Sequence, residues 1–149
     1  MSSRAGARRG KANSFTRSVP SRVEEVEGVC ALARELLAGA GLEKRQFDVD
    51  LLLREFMTNA VIHGNGSDRK KRVGVDFRIG PKWIVLHITD EGPGFRWRTK
   101  SRIPPDERAA SGRGLAIGAL YAHRTRYNNA GNQVTLWIGK IKKKESQEL

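Results

Sequence analysis

The chain has 149 residues, room for one hydrophobic core and little for two, so a single domain of two or three layers is expected. Its 28 Lys and Arg against 16 Asp and Glu leave a formal charge of +12, which favours an acidic partner or nucleic acid by long-range attraction without choosing between them. A lone cysteine, Cys30, excludes an internal disulfide framework, and the absence of a signal-peptide core or of any run of roughly 18 uncharged apolar residues points to a soluble, cytoplasmic protein with no membrane segment.

Residues 1–14 are small, polar and basic, lack any apolar period, and read as a flexible tail. Ser21-Arg22-Val23-Glu24 has the form of a capping box, in which the serine oxygen and the glutamate carboxylate satisfy each other's backbone amides, so a helix is predicted from Arg22 to about Ala38. Its apolar stripe is Val23, Val26, Val29, Cys30, Ala33, Leu36 and Leu37, which makes Cys30 a packed, inert thiol, and Gly39 and Gly41 supply its end. A second helix is predicted from about Glu43 to His63, with Phe47, Leu51, Leu52, Phe56 and Ala60 so dense that most of its circumference should be buried.

Beyond Gly64-Asn65-Gly66, Val73, Val75, Phe77 and Ile79 alternate with polar residues, and after the turn at Gly80-Pro81-Lys82 so do Ile84, Leu86 and Ile88. That period of two predicts an antiparallel hairpin with one wet face, ended by Gly92-Pro93-Gly94. Phe95 to Ser111 is charged, contains Pro104-Pro105, and reads as a long surface loop. Leu115, Ile117, Ala119, Leu120 and Ala122 predict a short helix after Gly114, then strands at 124–127 and 133–141 joined by a turn at Asn128 to Gly131, and a charged tail over 142–149. Residues 15–141 thus form one domain, a two-layer α/β sandwich with a mixed, mostly antiparallel sheet.

Three short segments carry the chemistry. Glu55 and Asn59 are four apart and project from one helix face; an amide oxygen suits a magnesium ion held mainly by phosphates, and a carboxylate one turn away can accept a proton from an attacking hydroxyl. The same spacing also fits an ordinary surface glutamate beside a hydrogen-bonded asparagine. Strand parity puts Asp90 on the face of Ile84, Leu86 and Ile88, where a carboxylate needs a partner such as a purine exocyclic amine, and Gly92 and Gly94 allow close approach to a ring; a strand-ending acid with turn glycines is the plain alternative. Gly112-Arg113-Gly114 before the apolar run from Leu115 can aim backbone amides and the helix N-terminus at a phosphate, or form a glycine-rich cap with a solvated arginine. It lacks the Lys-Ser/Thr of a P-loop and the setting of a dinucleotide fingerprint.

In order and separation these segments resemble the N, G1 and G2 boxes of the GHKL ATP-binding superfamily. The run from Glu55 to Gly64, Glu-x-x-x-Asn-Ala-x-x-His-Gly, is similar to that of the small anti-sigma-factor serine kinases of the RsbW and SpoIIAB type. The resemblance implies a Bergerat fold with about three helices on one sheet face and an ATP site. Asp90 would read adenine, Asn59 would hold magnesium and Glu55 would act as general base. Gly92, Gly94, Gly112, Arg113, Gly114 and Leu115 would frame the phosphates and a mobile lid. It also implies a homodimer that phosphorylates a serine on a STAS-domain antagonist and can sequester a sigma factor. Two features depart from that pattern: Gly131-Asn132 stands where the superfamily often has Gly-Thr, and the chain is unusually basic. His63 is expected to cap or pack at its helix end, and His87 and His123 have no metal-ligand spacing. Nucleic acid is the less favoured partner, because aromatics that look exposed are few, with Trp97 the main candidate.

Overall fold

The computed structural model describes residues 12–94 and 116–141. Strand β1 (Ser14–Pro20) leads through a 3-10 turn at Val23–Glu25 into helix α1 (Val26–Gly39). A second 3-10 turn, Glu43–Arg45, opens α2 (Gln46–Asn59), which a π turn at Ala60–Gly64 continues. Then come β2 (Arg72–Ile79), β3 (Trp83–Thr89), a short helix α3 over 116–121, β4 (Arg124–Tyr127) and β5 (Gln133–Gly139). The five strands form one sheet in the order β1-β2-β3-β5-β4. The α+β sandwich is therefore as expected, except that every neighbouring pair of described strands is antiparallel and none is mixed.

The two-residue period dictates the layering. Register places Phe77 beside Leu86 and Leu86 beside Leu136, so Val73, Val75, Phe77 and Ile79 of β2, Ile84, Leu86 and Ile88 of β3 and Val134, Leu136 and Ile138 of β5 fall in rows on one face, all buried. Onto that face α1 brings Val26, Val29, Cys30, Ala33 and Leu37, and α2 brings Val49, Leu52, Leu53, Phe56 and Met57. From α3, Ile117 and Tyr121 add to the same layer. Burial pushes the Cys30 thiol up to about 12, with the nearby Asp50 carboxylate adding to the effect, so it stays protonated and unreactive at neutral pH. Among the described residues no helix is long and apolar enough to cross a membrane.

Three expectations need correction. Residues 14–20, where the domain begins and for which no element is predicted, form an edge strand: β1 pairs with β2 along its length, and Phe15 stacks on Phe77 with ring centroids 5.2 Å apart. Ser21 caps no helix. Its hydroxyl donates to the Lys71 carbonyl at 2.7 Å and accepts from Asn65 Nδ2 at 2.8 Å, and the turn that follows has no side-chain cap. Phe47 is 67% exposed, because it shares with Leu51 and Arg54 the stripe of α2 that faces away from the sheet. The buried side chain at this end is Arg45 instead, which donates to Asp48 Oδ2 at 2.8 Å and to the Gly139 carbonyl at 2.9 Å. The tails beyond residues 12 and 141, the stretch 95–115 with Trp97 and the predicted loop, and the site residues Gly112, Arg113, Gly114 and Leu115 lie outside the described residues.

Candidate functional site

A cleft opens between the C-terminal end of α2, the end of β3 and the β4–β5 turn. Phe56, Ala60, Ile88 and Val134 give it apolar walls, while Asn59, Asp90 and Asn132 bring polar groups into it. The mix suits a small organic ligand read at a few polar points.

Asn59 and Glu55 meet as the helix spacing requires, with Asn59 Nδ2 3.3 Å from Glu55 Oε2. That contact leaves the Asn59 amide oxygen as the acceptor available to a cation. Glu55 is only 7% exposed and stands behind Asn59 rather than among the residues that line the cleft. Tyr127 lines the cleft from β4; burial raises its hydroxyl pKa well above the ordinary phenol range, and the negative charge of Glu55 raises it further. Among the described residues no three His, Cys, Asp or Glu side chains gather to hold a metal. A magnesium ion beside Asn59 would therefore take most of its oxygens from phosphates and water, which is how that ion prefers to be held.

Asp90 lies where strand parity puts it, continuing β3 past Thr89 into the cleft. Its Oδ1 accepts from the Gly92 amide at 2.8 Å, and its own amide donates to the Asn132 carbonyl at 3.0 Å. Burial pushes its carboxyl above the usual carboxylate range, while the Gly92 amide and the Lys71 charge pull the other way. The ionised form accepts a hydrogen bond from a ligand amine, so ATP affinity should fall as the pH drops through this raised pKa, where exposed aspartates with pKa about 3.9 are still charged. Calorimetric titrations of ATP between about pH 4 and pH 8 should show a steeper loss on the acid side in the wild type than in Asp90→Asn, since the titration of ATP itself is common to both. In the ligand-free fold the sign is reversed: a raised carboxyl contributes stability at low pH that is lost as the pH rises through its folded value.

The glycines work through contact. A Cβ on Gly64 would sit 2.4 Å from the Asp90 carboxyl carbon, and one on Gly92 would sit 1.8 Å from the Gly64 carbonyl oxygen, so the π turn of α2 and the Asp90–Gly92 hinge touch backbone to backbone. Gly94 has φ +83° and lies against Ala130, where a Cβ would be 1.8 Å from the carbonyl oxygen. π turns inside helices are frequent at functional sites, and this one directs Gly64 at the hinge.

Asn65 is a residue that sequence reasoning missed. It is 3% exposed; its Oδ1 accepts from the Glu91 amide at 2.7 Å, and its Nδ2 donates to Ser21 Oγ at 2.8 Å and to the Arg72 carbonyl at 3.0 Å. One amide thus ties the end of α2 to the start of β2 and to the residue after Asp90. Asn132, at the departure from Gly-Thr, lines the cleft but turns its side chain to its own neighbourhood: Oδ1 accepts from Asn128 Nδ2 at 2.8 Å, and Nδ2 reaches the Gly92 carbonyl at 3.4 Å. His63 neither caps nor packs; it is exposed at the cleft wall.

A family profile described as a histidine kinase-like ATPase domain matches residues 19–138, more than half of the chain. The chain belongs to the histidine kinase-like ATPase family. This places it in the GHKL superfamily of ATP-binding domains, as the three segments suggested. No curated protein matches it. The matched span of this ATPase domain contains all three described helices and every residue that lines the cleft.

Proposed function

We propose that this ATPase-family domain is a protein-serine kinase that regulates transcription by partner switching, acting on a serine of a small STAS-type antagonist and sequestering a sigma factor, as a homodimer. The observation that carries the reading is Glu55, a buried carboxylate held one helical turn from Asn59 and close to a cleft that ends on Asp90. When bound, ATP with magnesium would supply the phosphoryl group and neutralise its developing charge. In that site Asp90 would accept from the adenine amine, Asn59 would offer its amide oxygen to the cation, and Glu55 would take the proton of the substrate hydroxyl as that hydroxyl replaced ADP on the transferred phosphoryl group. Phe56, Ile88 and Val134 give the cleft beside these groups an apolar lining.

Phosphotransfer from γ-labelled ATP into an extract of the source cells tests this. A small labelled protein should appear with the wild type, fall at least a hundredfold with Glu55→Gln, and vanish with Asp90→Asn, which should also weaken ATP binding in calorimetry. Because Glu55 stands behind Asn59 and not on the cleft wall, a second reading keeps the ATP site and drops the transfer: nucleotide would bias a binding surface between two states. Normal ATP affinity with no labelled product, and partner capture that survives Glu55→Gln but not Asp90→Asn, would select that reading.

A further inference from the structure

The two layers of this domain treat their arginines differently. On the helical layer, Arg34 pairs with Glu27 and Asp50, Arg54 with Asp50 and Glu27, Arg45 with Asp48, and Arg22 with Glu24 and Glu25. On the opposite face of the sheet, which no described element covers, Arg78, Arg124 and Arg126 are exposed, and among the described residues none of the three is in an ion pair. The one acid on the strands of that face, Asp76, accepts from Thr16 Oγ1 at 2.7 Å. Register orders the face further. Arg78 is beside Val85, Val85 beside Trp137, and Trp137 beside Arg124, so a row crosses four strands with guanidinium groups at its ends and apolar side chains between. Neighbouring strands are about 4.8 Å apart, so the two ends are separated by about 14 Å, which an extended chain covers in roughly four residues.

We propose that this outer sheet face is a docking surface for an acidic polypeptide segment, extended, with carboxylates about four residues apart and apolar side chains between them. Charge complementarity selects the occupant. A second copy through the same face would oppose three unpaired arginines with three more. Single-stranded nucleic acid would want open aromatic faces for its bases. Here Arg124 lies 5.2 Å from the Trp137 ring centroid and the His123 ring lies 4.5 Å from that of Trp83, so both rings already have a planar group in front of them, and the guanidinium suits a carboxylate. This surface is distinct from the nucleotide cleft, which lies on the helical side, and it stands whether or not the domain is a kinase.

The test uses the full chain and a fluorescein-labelled 11-residue peptide of alternating Glu and Leu, followed by anisotropy. Because any acidic polymer is drawn to a chain of this net charge, two triple reversals are compared: Arg78→Glu/Arg124→Glu/Arg126→Glu on the face, and Lys44→Glu/Arg69→Glu/Lys70→Glu at exposed positions elsewhere. Binding by the wild type, a loss of at least tenfold in the face triple, and less than threefold in the control triple, with melting temperature unchanged and any shift in ATP affinity the same in both, is the expected result. Equal losses in the two triples, or no binding by the wild type, would overturn the proposal. So would tighter binding of a 12-nucleotide oligothymidine that the face triple abolishes, which would assign the face to nucleic acid. A dimer that the face triple converts to monomer would assign it instead to a second copy.

Discussion

Gly64→Ala is expected to weaken ATP binding at least a hundredfold while leaving a folded protein. The added methyl would lie 2.4 Å from both the carboxyl carbon and Oδ2 of Asp90, and 2.7 Å from Oδ1, distances no relaxed contact allows. Swinging Asp90 aside gives up the bond that Oδ1 accepts from the Gly92 amide, and Gly92 is itself seated against the Gly64 carbonyl. Either the carboxylate leaves the position from which it meets a base, or the π turn at Ala60–Gly64 opens and carries Asn59 with it. Both routes spoil the cleft, and a hundredfold loss corresponds to about 2.7 kcal/mol. Calorimetry with ATP measures it, with Gly28→Ala as the control: Gly28 lies on the exposed side of α1, and a methyl added there would have nothing within 4 Å, so its ATP affinity should not change. A dissociation constant for Gly64→Ala within threefold of wild type would show that the close contact with Asp90 is not what sets the geometry.

The same contact explains which parts of the site could be read in advance. Glu55, Asn59 and Asp90 were legible because their placement depends on local period: four residues on a helix, and parity along a strand. The apolar alternation of β2, β3 and β5 was legible for the same reason. Gly64 meets Asp90 across 26 positions of chain, and nothing in the sequence around either residue announces the other. Ser21 was misread by the same logic in reverse. Its spacing to Glu24 satisfies the capping rule, but the Lys71 carbonyl and the Asn65 amide, distant in sequence, engage its hydroxyl first. Strand β1 escaped notice because Ser14–Pro20 has only Phe15 and Val19 as large apolar residues, and its register comes from the neighbouring β2. Phe47 shows the limit of counting apolar residues: density along α2 predicted burial, but the sheet covers only the stripe through Val49, Leu52, Leu53 and Phe56.

Asn65→Ala should bring the largest loss of stability, about 3 kcal/mol in urea unfolding, together with weaker ATP binding. Removing the amide takes away three hydrogen bonds at once, those to the Glu91 N–H, the Arg72 carbonyl and Ser21 Oγ. Each is worth about 1 kcal/mol, and the side chain that makes them is itself 3% exposed, so its loss also leaves a gap. The loss reaches function because Glu91 follows Asp90 directly: a freed Glu91 amide loosens the hinge that aims the carboxylate. Asn65→Asp separates the two effects. Its carboxylate still accepts from the Glu91 amide, so the hinge keeps its tether, but it cannot donate to the Arg72 carbonyl and places negative charge against that oxygen. Stability should therefore fall at least as far as in Asn65→Ala, while ATP affinity, measured well below the unfolding midpoint, should recover toward wild type. If the two variants lose ATP affinity equally, the tether to Glu91 is not what links this residue to the cleft, and Asn65 acts on stability alone.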